Sequence, residues 1–558
     1  MKLAAAVLLI LLAPALWGGE LASGSGGAVV AAEENAAKAG IEILKKGGNA
    51  ADAAVAVAFA LAVTWPEAGN VGGGGFWISR DSRGRILTVD FRETAPRTAR
   101  RDLFLQAPPG GTAPSSTDGP IASGIPGSVA GLVLAHRRAG RLPWKAVVDP
   151  AVRLARDGFV MTEHVSESIA EERKRLAQDA ETARIFLPHG APPVPGTLFR
   201  QTDLARTLEA IRDRGEDGFY RGRVARDFAE GQKRIGGLIS RGDLARYEAK
   251  VRAPLRFGFE GMEIITTPAP SSGPVLAEMA LMAAIAGRDR LRASEPTGAH
   301  WLAEIEKRAF HDRNRYLGDP AFGRIDQGRF TDRAHLSLEV ASINPHRATP
   351  TDQLGLGDPE KPTTTHFSVI DRQGMAVSMT TTLNDSFGNA RVAPGLGFLM
   401  NNEMDDFATR PGEKNMYGLI QQGELNAVAP GKRMLSSMCP SIAIAGGRNV
   451  LVWGSPGGST IPTTNLQVML NRILWKEPLP SAVAASRFHQ QDFPDAIQIE
   501  KGRFEDAWIE ALEKMGHTIT PRGSIGRVHA IAVEADGTLI AVADPRGGGA
   551  AAVVRVSP

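Results

Sequence analysis

Apolar residues change their spacing along the chain, and each change predicts a different kind of element. Residues 31–63 are dense in strong helix formers, broken only at Gly47-Gly48-Asn49, which predicts two helices with a glycine stop between them. The second of these, residues 51–63, is almost wholly apolar and reads as a buried helix. Two short strand-like runs follow, residues 76–79 and 86–91, joined by a turn with Asp81, Ser82 and Gly84. Between Gly127 and about Leu317 the pattern is mostly helical, clearest over residues 131–138 and 204–212, the latter with Asp203 as the expected N-cap. Residues 268–274 are a Pro/Ser/Gly break. From His366 the apolar residues come in short runs separated by turn residues. Residues 366–370 and 375–381, 441–445 and 450–453, and 528–533 and 539–543 predict three hairpins. Strands near both ends with helices between them predict a layered α/β (α+β) sandwich to which both parts of the chain contribute strands. The sequence carries no internal repeat, which excludes a solenoid or propeller.

Pro345, Pro350, Pro359 and Pro362, with Gly355 and Gly357, mark residues 341–362 as a linker or exposed loop just before the first of these hairpins. At the other end, Lys2 precedes an apolar stretch over residues 3–16, with Ala13-Pro14-Ala15 as one A-x-A-like cleavage option and residues 18–24 offering others. Residues 1–24 therefore read as a secretory signal. The apolar stretch falls short of the roughly 20 residues a membrane span needs. Export is expected, to the periplasm if the source is Gram-negative, with no stable membrane span.

Composition narrows the classes further. The 558 residues exceed one ordinary core, and 43% hydrophobic with 22% charged residues exclude a disordered or fibrous chain. A net charge of +3, with no Lys/Arg block interleaved with aromatics, gives no nucleic-acid partner. The single cysteine, Cys439, excludes an intramolecular disulfide and a cysteine-built zinc or iron–sulfur centre; with no histidine nearby in sequence it reads as a core residue.

Candidate chemistry lies in the last third. There is no G-x-S-x-G elbow, no H-E-x-x-H and no Walker loop, and His311, His366 and His529 lack ligand spacing, so neither a metal nor a cofactor is expected. The glycines at 72–75 precede a strand, which fits close backbone packing better than dinucleotide binding. Thr363-Thr364-Thr365-His366, taken alone, could be the edge of a Thr-rich strand. Its place at the junction of a Pro-rich linker and a β-rich region also suits an N-terminal nucleophile. There a cut frees an α-amine to take the proton of the side-chain hydroxyl. The glycine turn at 454–459 could present backbone N–H groups to an oxyanion, or be a plain strand-to-helix turn. Ser436-Ser437 could bind an anion or cap a helix. The acids at 403–406 could form a cation site or a solvated loop.

These segments together resemble the γ-glutamyltranspeptidases (glutathione hydrolases) over nearly the whole chain after the leader. The resemblance rests on AGNVGGGGF at 68–76, DFRETAP at 90–96, TTHFSVID at 364–371, TLN at 382–384, NNEMDDF at 401–407, LSSMCP at 435–440 and GSPGGS at 454–459. It implies a four-layer αββα N-terminal nucleophile hydrolase fold. The precursor would be cut into a large subunit, 25–363, and a small subunit, 364–558. By the same resemblance Thr364 is the nucleophile, Thr382 supports its amine and hydroxyl, and Gly457 and Gly458 form the oxyanion hole. Arg92, Ser436 and Ser437 hold the substrate α-carboxylate, and Asn384, Glu403 and Asp406 surround its α-amino group. Residues 411–433, with Tyr417, resemble a lid. The implied donors are glutathione and other γ-glutamyl amides, the acceptors water, amino acids or peptides. Two other readings stay open at this point: a related β-lactam side-chain acylase, disfavoured by Asp406, and a two-lobed binding protein in which Thr364 remains internal.

Overall fold

A computed structural model describes residues 21–107, 112–351, 364–419 and 424–555. Residues 1–20, most of the stretch read as a leader, and residues 352–363 of the Pro-rich segment fall outside the described residues.

Two large sheets organise the chain. Their strands, in chain order, are β1 (Leu21–Gly24), β2 (Gly27–Ala31), β3 (Gly74–Arg80), β4 (Ile86–Asp90), β5 (Lys250–Arg252), β6 (Leu255–Phe259), β7 (Met262–Thr266), β8 (Thr364–Asp371), β9 (Ala376–Thr382), β10 (Ser441–Ala445), β11 (Arg448–Trp453), β12 (His529–Val533), β13 (Leu539–Ala543) and β14 (Ala550–Val553). One seven-stranded sheet runs β14-β2-β8-β9-β3-β4-β5 and the other β1-β13-β12-β11-β10-β7-β6. Each sheet contains strands from both sides of residue 363.

Alternation along the strands builds the layers. Val30, Ile78, Ile370 and Ala376 of the first sheet face Ile442, Val452, Ile531 and Ala541 of the second, and all are buried. The opposite face of the first sheet, with Val29, Trp77 and Val369, packs on the helices Glu34–Lys45, Ala50–Thr64 and Ser128–Ala139. The opposite face of the second, with Leu451 and Ala530, packs on Gly273–Ala286, Pro296–Tyr316 and Ile461–Met469. The result is the expected α-β-β-α order.

The helix Ala50–Thr64 is buried along its whole length. Its one charge is part of its start: the Asn49 side chain accepts from Asp52 N, Asp52 accepts from Asn49 N, and the pair forms a capping box. No helix among the described residues is long and apolar enough to cross a membrane.

Two expectations need correction. The region expected to be mostly helical contains β5 and the hairpin β6–β7, which turns on Glu260 (φ 48°) and Gly261 (φ 74°), the positive pair a two-residue hairpin loop needs. The helix Thr202–Arg214 has Gln201 as its N-cap; Asp203 lies inside the first turn and pairs with Arg184 and Arg206. Leu21 pairs with Val542 and Gly24 with Leu539, so a leader ending at residue 24 would remove an edge strand, whereas a cut after Ala15 leaves it.

Candidate active site

The site begins with the β8–β9 hairpin. Asp371 Oδ1 accepts from Gln373 N at 2.9 Å and Met375 N at 3.0 Å, and Gly374 supplies the positive φ of the turn. That turn fixes a register in which Thr364, the first residue of β8, lies opposite Thr382, the last of β9. Thr364 Oγ1 donates to Thr382 Oγ1 at 3.4 Å, and Asn384 N donates to the same Thr382 oxygen at 2.8 Å. Asn384 adopts φ 79°, a left-handed conformation that Asn tolerates better than most residues. Its Nδ2 reaches Asn402 O at 3.1 Å, which joins the hairpin end to the acidic turn Glu403–Asp406.

The glycine run explains how the backbones come so close. A Cβ at Gly73 would lie 2.0 Å from Thr382 O, so only glycine lets this loop press against the end of β9. Asn70, which sequence reasoning passed over, ties the contact down: Nδ2 donates to Thr382 O at 2.9 Å and Oδ1 accepts from Gly73 N at 2.9 Å.

Arg92 follows β4 and is fully buried. Its guanidinium pairs with both Glu403 and Asp406, approaches Glu93 at 3.5 Å, and donates to Leu435 O at 3.1 Å. The acids at 403–406 are thus neither a solvated loop nor an open cation site. Burial raises the Glu403 and Asp406 carboxyls against the pull of Arg92. Burial likewise pushes Glu93 up to about 7 despite Arg92. The two groups assigned to opposite ends of a zwitterion are therefore in direct contact with each other.

Leu435 leads into Ser436 and Ser437. Ser436 N donates to Pro270 O, and Ser437 Oγ accepts from Arg313 Nη2 at 3.1 Å. Arg313, on the helix Pro296–Tyr316, carries no local motif that would have singled it out.

The glycine turn follows β11. Gly454 packs on the His366 ring, where a Cβ would lie 2.4 Å from Cε1, and this brings the turn to the Thr364 end of β8. Gly457 has φ 135° and Gly458 φ 52°, and the helix Ile461–Met469 starts just beyond. A Cβ at Gly457 would meet Thr460 Oγ1 at 2.4 Å. Tyr417 lies across the site: buried, it donates from Oη to Asn384 O at 2.7 Å. These contacts join Thr364, Thr382, Asn384, Tyr417, Arg92, Glu403 and Asp406; Ser436 and Ser437 follow Leu435 directly, and Gly457 and Gly458 follow Gly454.

His311 and His366 have protein partners. His366 is buried between Thr380 Oγ1 and Ser368 Oγ. Among the described residues two trios bring possible ligand atoms together: His300, Glu304 and His517, and Glu278, Asp312 and His335. In the first, His300 bonds His517 and Asn344 O while Glu304 accepts from Thr349; in the second, Arg329 and His335 occupy Asp312. Cys439 is buried in the core, which pushes its thiol up to about 12.

Residues 36–554 match the family described as gamma-glutamyltranspeptidase. The glutathione hydrolase proenzyme of Escherichia coli (strain K12) is 39% identical over 525 residues, 93% of this chain and 90% of its own length. That of Pseudomonas aeruginosa PAO1 is 41% identical over 546 residues, 95% of each chain. The crystal structure of cephalosporin acylase from Bacillus halodurans has a TM-score of 0.85 over 96% of this chain and 97% of its own, at 24% identity, a likeness of fold alone. Motifs, layered fold and full-length relatives agree, and the chain belongs to the γ-glutamyltranspeptidase family.

Proposed function

We propose that this chain is a γ-glutamyltransferase and glutathione hydrolase whose precursor cuts itself between Thr363 and Thr364. The observation that carries the reading is the position of Thr364: it opens β8, its hydroxyl bonded to Thr382, at the start of a register-locked hairpin. A cut there gives a large subunit ending at 363 and a small subunit of 364–558. It turns an internal threonine into a chain end whose α-amine, with a reference pKa of about 8, can act as the base.

In the cut enzyme the amine takes the Thr364 hydroxyl proton as Oγ1 attacks the γ-carbonyl of the donor. Thr382 holds the nucleophile in place, and the Gly457 and Gly458 amides receive the developing oxyanion. Collapse breaks the amide bond, and the leaving amine departs with the proton held by the α-amine. A γ-glutamyl ester on Thr364 remains. Attack by water gives glutamate; attack by an amino-acid or peptide amine gives a new γ-glutamyl amide.

Arg92, Ser436 and Ser437 hold the α-carboxylate, while Asn384, Glu403 and Asp406 hold the α-ammonium. In the free enzyme Arg92 already pairs with both acids. A zwitterionic head therefore exchanges the internal pairs of Arg92 for pairs with the ligand and adds no net charge. A ligand without the ammonium leaves the acids with only Arg92, which it must share. Tyr417 and its segment act as the cover that shields the ester from bulk water. Export follows from the leader read at the N-terminus.

The test is to purify the exported protein, sequence its fragments from their N-termini and assay γ-glutamyl-p-nitroanilide. A fragment beginning Thr364-Thr365-His366, with release of nitroaniline, is expected. Thr364→Ala should stay uncut and inactive. Normal processing of that variant would overturn the assignment.

A further inference from the structure

Arg313 is buried, yet all its hydrogen-bond acceptors are neutral. It donates from Nε to Ser272 Oγ at 3.1 Å, from Nη1 to Asn314 Oδ1 at 3.2 Å and from Nη2 to Ser437 Oγ at 3.1 Å. Among the described residues it makes no ion pair. Other buried arginines here do: Arg92 with Glu403, Arg433 with Asp90 and Arg487 with Asp544. A buried cation with only neutral partners is costly unless an anion arrives to complete it. Burial draws the guanidinium down to about 10, with Asp406 opposing this and Arg92 adding to it, so the charge sits within the field of the donor-binding site.

The bonds also have a direction. A serine hydroxyl has one proton and two lone pairs. Ser437 Oγ accepts from Arg313 and donates to no described residue, so its proton is left for an acceptor in the site. Ser436 Oγ accepts from Met438 N at 3.2 Å and keeps its proton likewise. Through Ser272, whose Oγ donates to Ser436 O at 2.6 Å, the same arginine steadies the backbone of the serine pair.

We propose that Arg313 is a positioning and charge-balancing residue for the α-carboxylate of the γ-glutamyl donor, acting through Ser437. This rests on the γ-glutamyl reading above and deepens it. Two cations, Arg92 and Arg313, share this region with the acids Glu403 and Asp406 and with Glu93, 3.5 Å from Arg92. A zwitterionic donor adds no net charge to it. A donor that keeps the amine but lacks the carboxylate adds a positive charge and leaves Arg313 without its anion. Arg313 therefore helps to select α-amino acids over simple amines.

The experiment compares γ-glutamyl-p-nitroanilide with 4-aminobutyryl-p-nitroanilide, the same donor without its α-carboxylate, in the mature enzyme. In Arg313→Met the KM for the γ-glutamyl donor is expected to rise about tenfold or more with kcat within about threefold, and the ratio of kcat/KM between the donors to fall about tenfold or more. Arg313→Lys keeps the charge, but one ammonium cannot hold Ser272 and Ser437 as the fork does, so an intermediate several-fold fall is expected. Ser437→Ala should lower the same ratio and add little in the Arg313→Met background. A donor ratio unchanged within about twofold in Arg313→Met overturns the proposal, as does an equal loss on both donors. If Arg313→Met does not mature, Arg313→Lys decides by the same criteria. A wild-type enzyme that cleaves neither donor refutes the γ-glutamyl reading instead.

Discussion

Asp406→Asn keeps the shape of the acidic turn and removes one charge from it. In the free enzyme Arg92 loses one of its two close carboxylate partners but keeps Glu403, the Leu435 carbonyl and Glu93 at 3.5 Å. Breaking a buried pair outright costs about 3–5 kcal/mol. With these partners remaining, the fold should lose less than about 3 kcal/mol, and the variant should still mature. The donor ammonium loses a charge-assisted hydrogen bond worth about 1.5–3 kcal/mol, or about 10- to 150-fold in kcat/KM. A glutaryl amide has the same carbonyl and carboxylate but no ammonium, and escapes that loss. The assay is kcat/KM for γ-glutamyl- and glutaryl-p-nitroanilide in wild type and variant. The ratio should move toward glutaryl by about 10- to 150-fold. A ratio unchanged within about twofold, or an equal loss on both, would refute the placing of Asp406 at the ammonium.

Two further outcomes follow from the geometry. Gly457→Ala forces a side chain into φ 135° and to 2.4 Å from Thr460 Oγ1, tilting the amides of the turn; kcat should fall about 100-fold or more with KM little changed, and a kcat within about threefold of wild type would remove the turn from the oxyanion hole. Glu67 accepts from His164, Ser168 and Arg527; burial alone would raise its carboxyl, but the His164 hydrogen bond and the Arg527 charge draw it down to about 2 from 4.5. A depressed acid contributes stability that is complete above pH 4.5 and lost as the pH falls toward 2, on the order of 3 kcal/mol. The Tm gap between wild type and Glu67→Gln should therefore be wide near pH 7 and narrow steadily as the pH falls below about 4.5 toward 2; a gap constant with pH would exclude the linkage.

How much of this was legible in the sequence depends on range. The hairpins turning on Gly374 and Gly537 and the stop at Gly47-Gly48-Asn49 were readable because a turn residue and its flanking apolar runs sit side by side. The hairpin β6–β7 was not, because two five-residue strands were lost among long helices, although Glu260-Gly261 was a turn signal. The site residues came from motifs, and the structure gathers them. What no local pattern could show is contact across the chain. Asn70 matters because it grips Thr382, and Arg313 because it reaches Ser437 from a helix more than a hundred residues upstream. The acids of 403–406 read as either a cation site or a solvated loop because their partner, Arg92, lies far away in sequence.

The sharing of both sheets between strands from either side of residue 363 has a consequence for the life of the molecule. In the first sheet β2 and β3 flank β8 and β9, and in the second β7 pairs with β10. Once the chain is cut, neither piece can assemble a complete sheet alone. The uncut precursor refolds as one chain, at a rate independent of concentration; the cut enzyme would have to find its other half, so its recovery would depend on concentration and compete with aggregation. Maturation would then leave an enzyme whose endurance is set by how slowly it opens rather than by how readily it refolds.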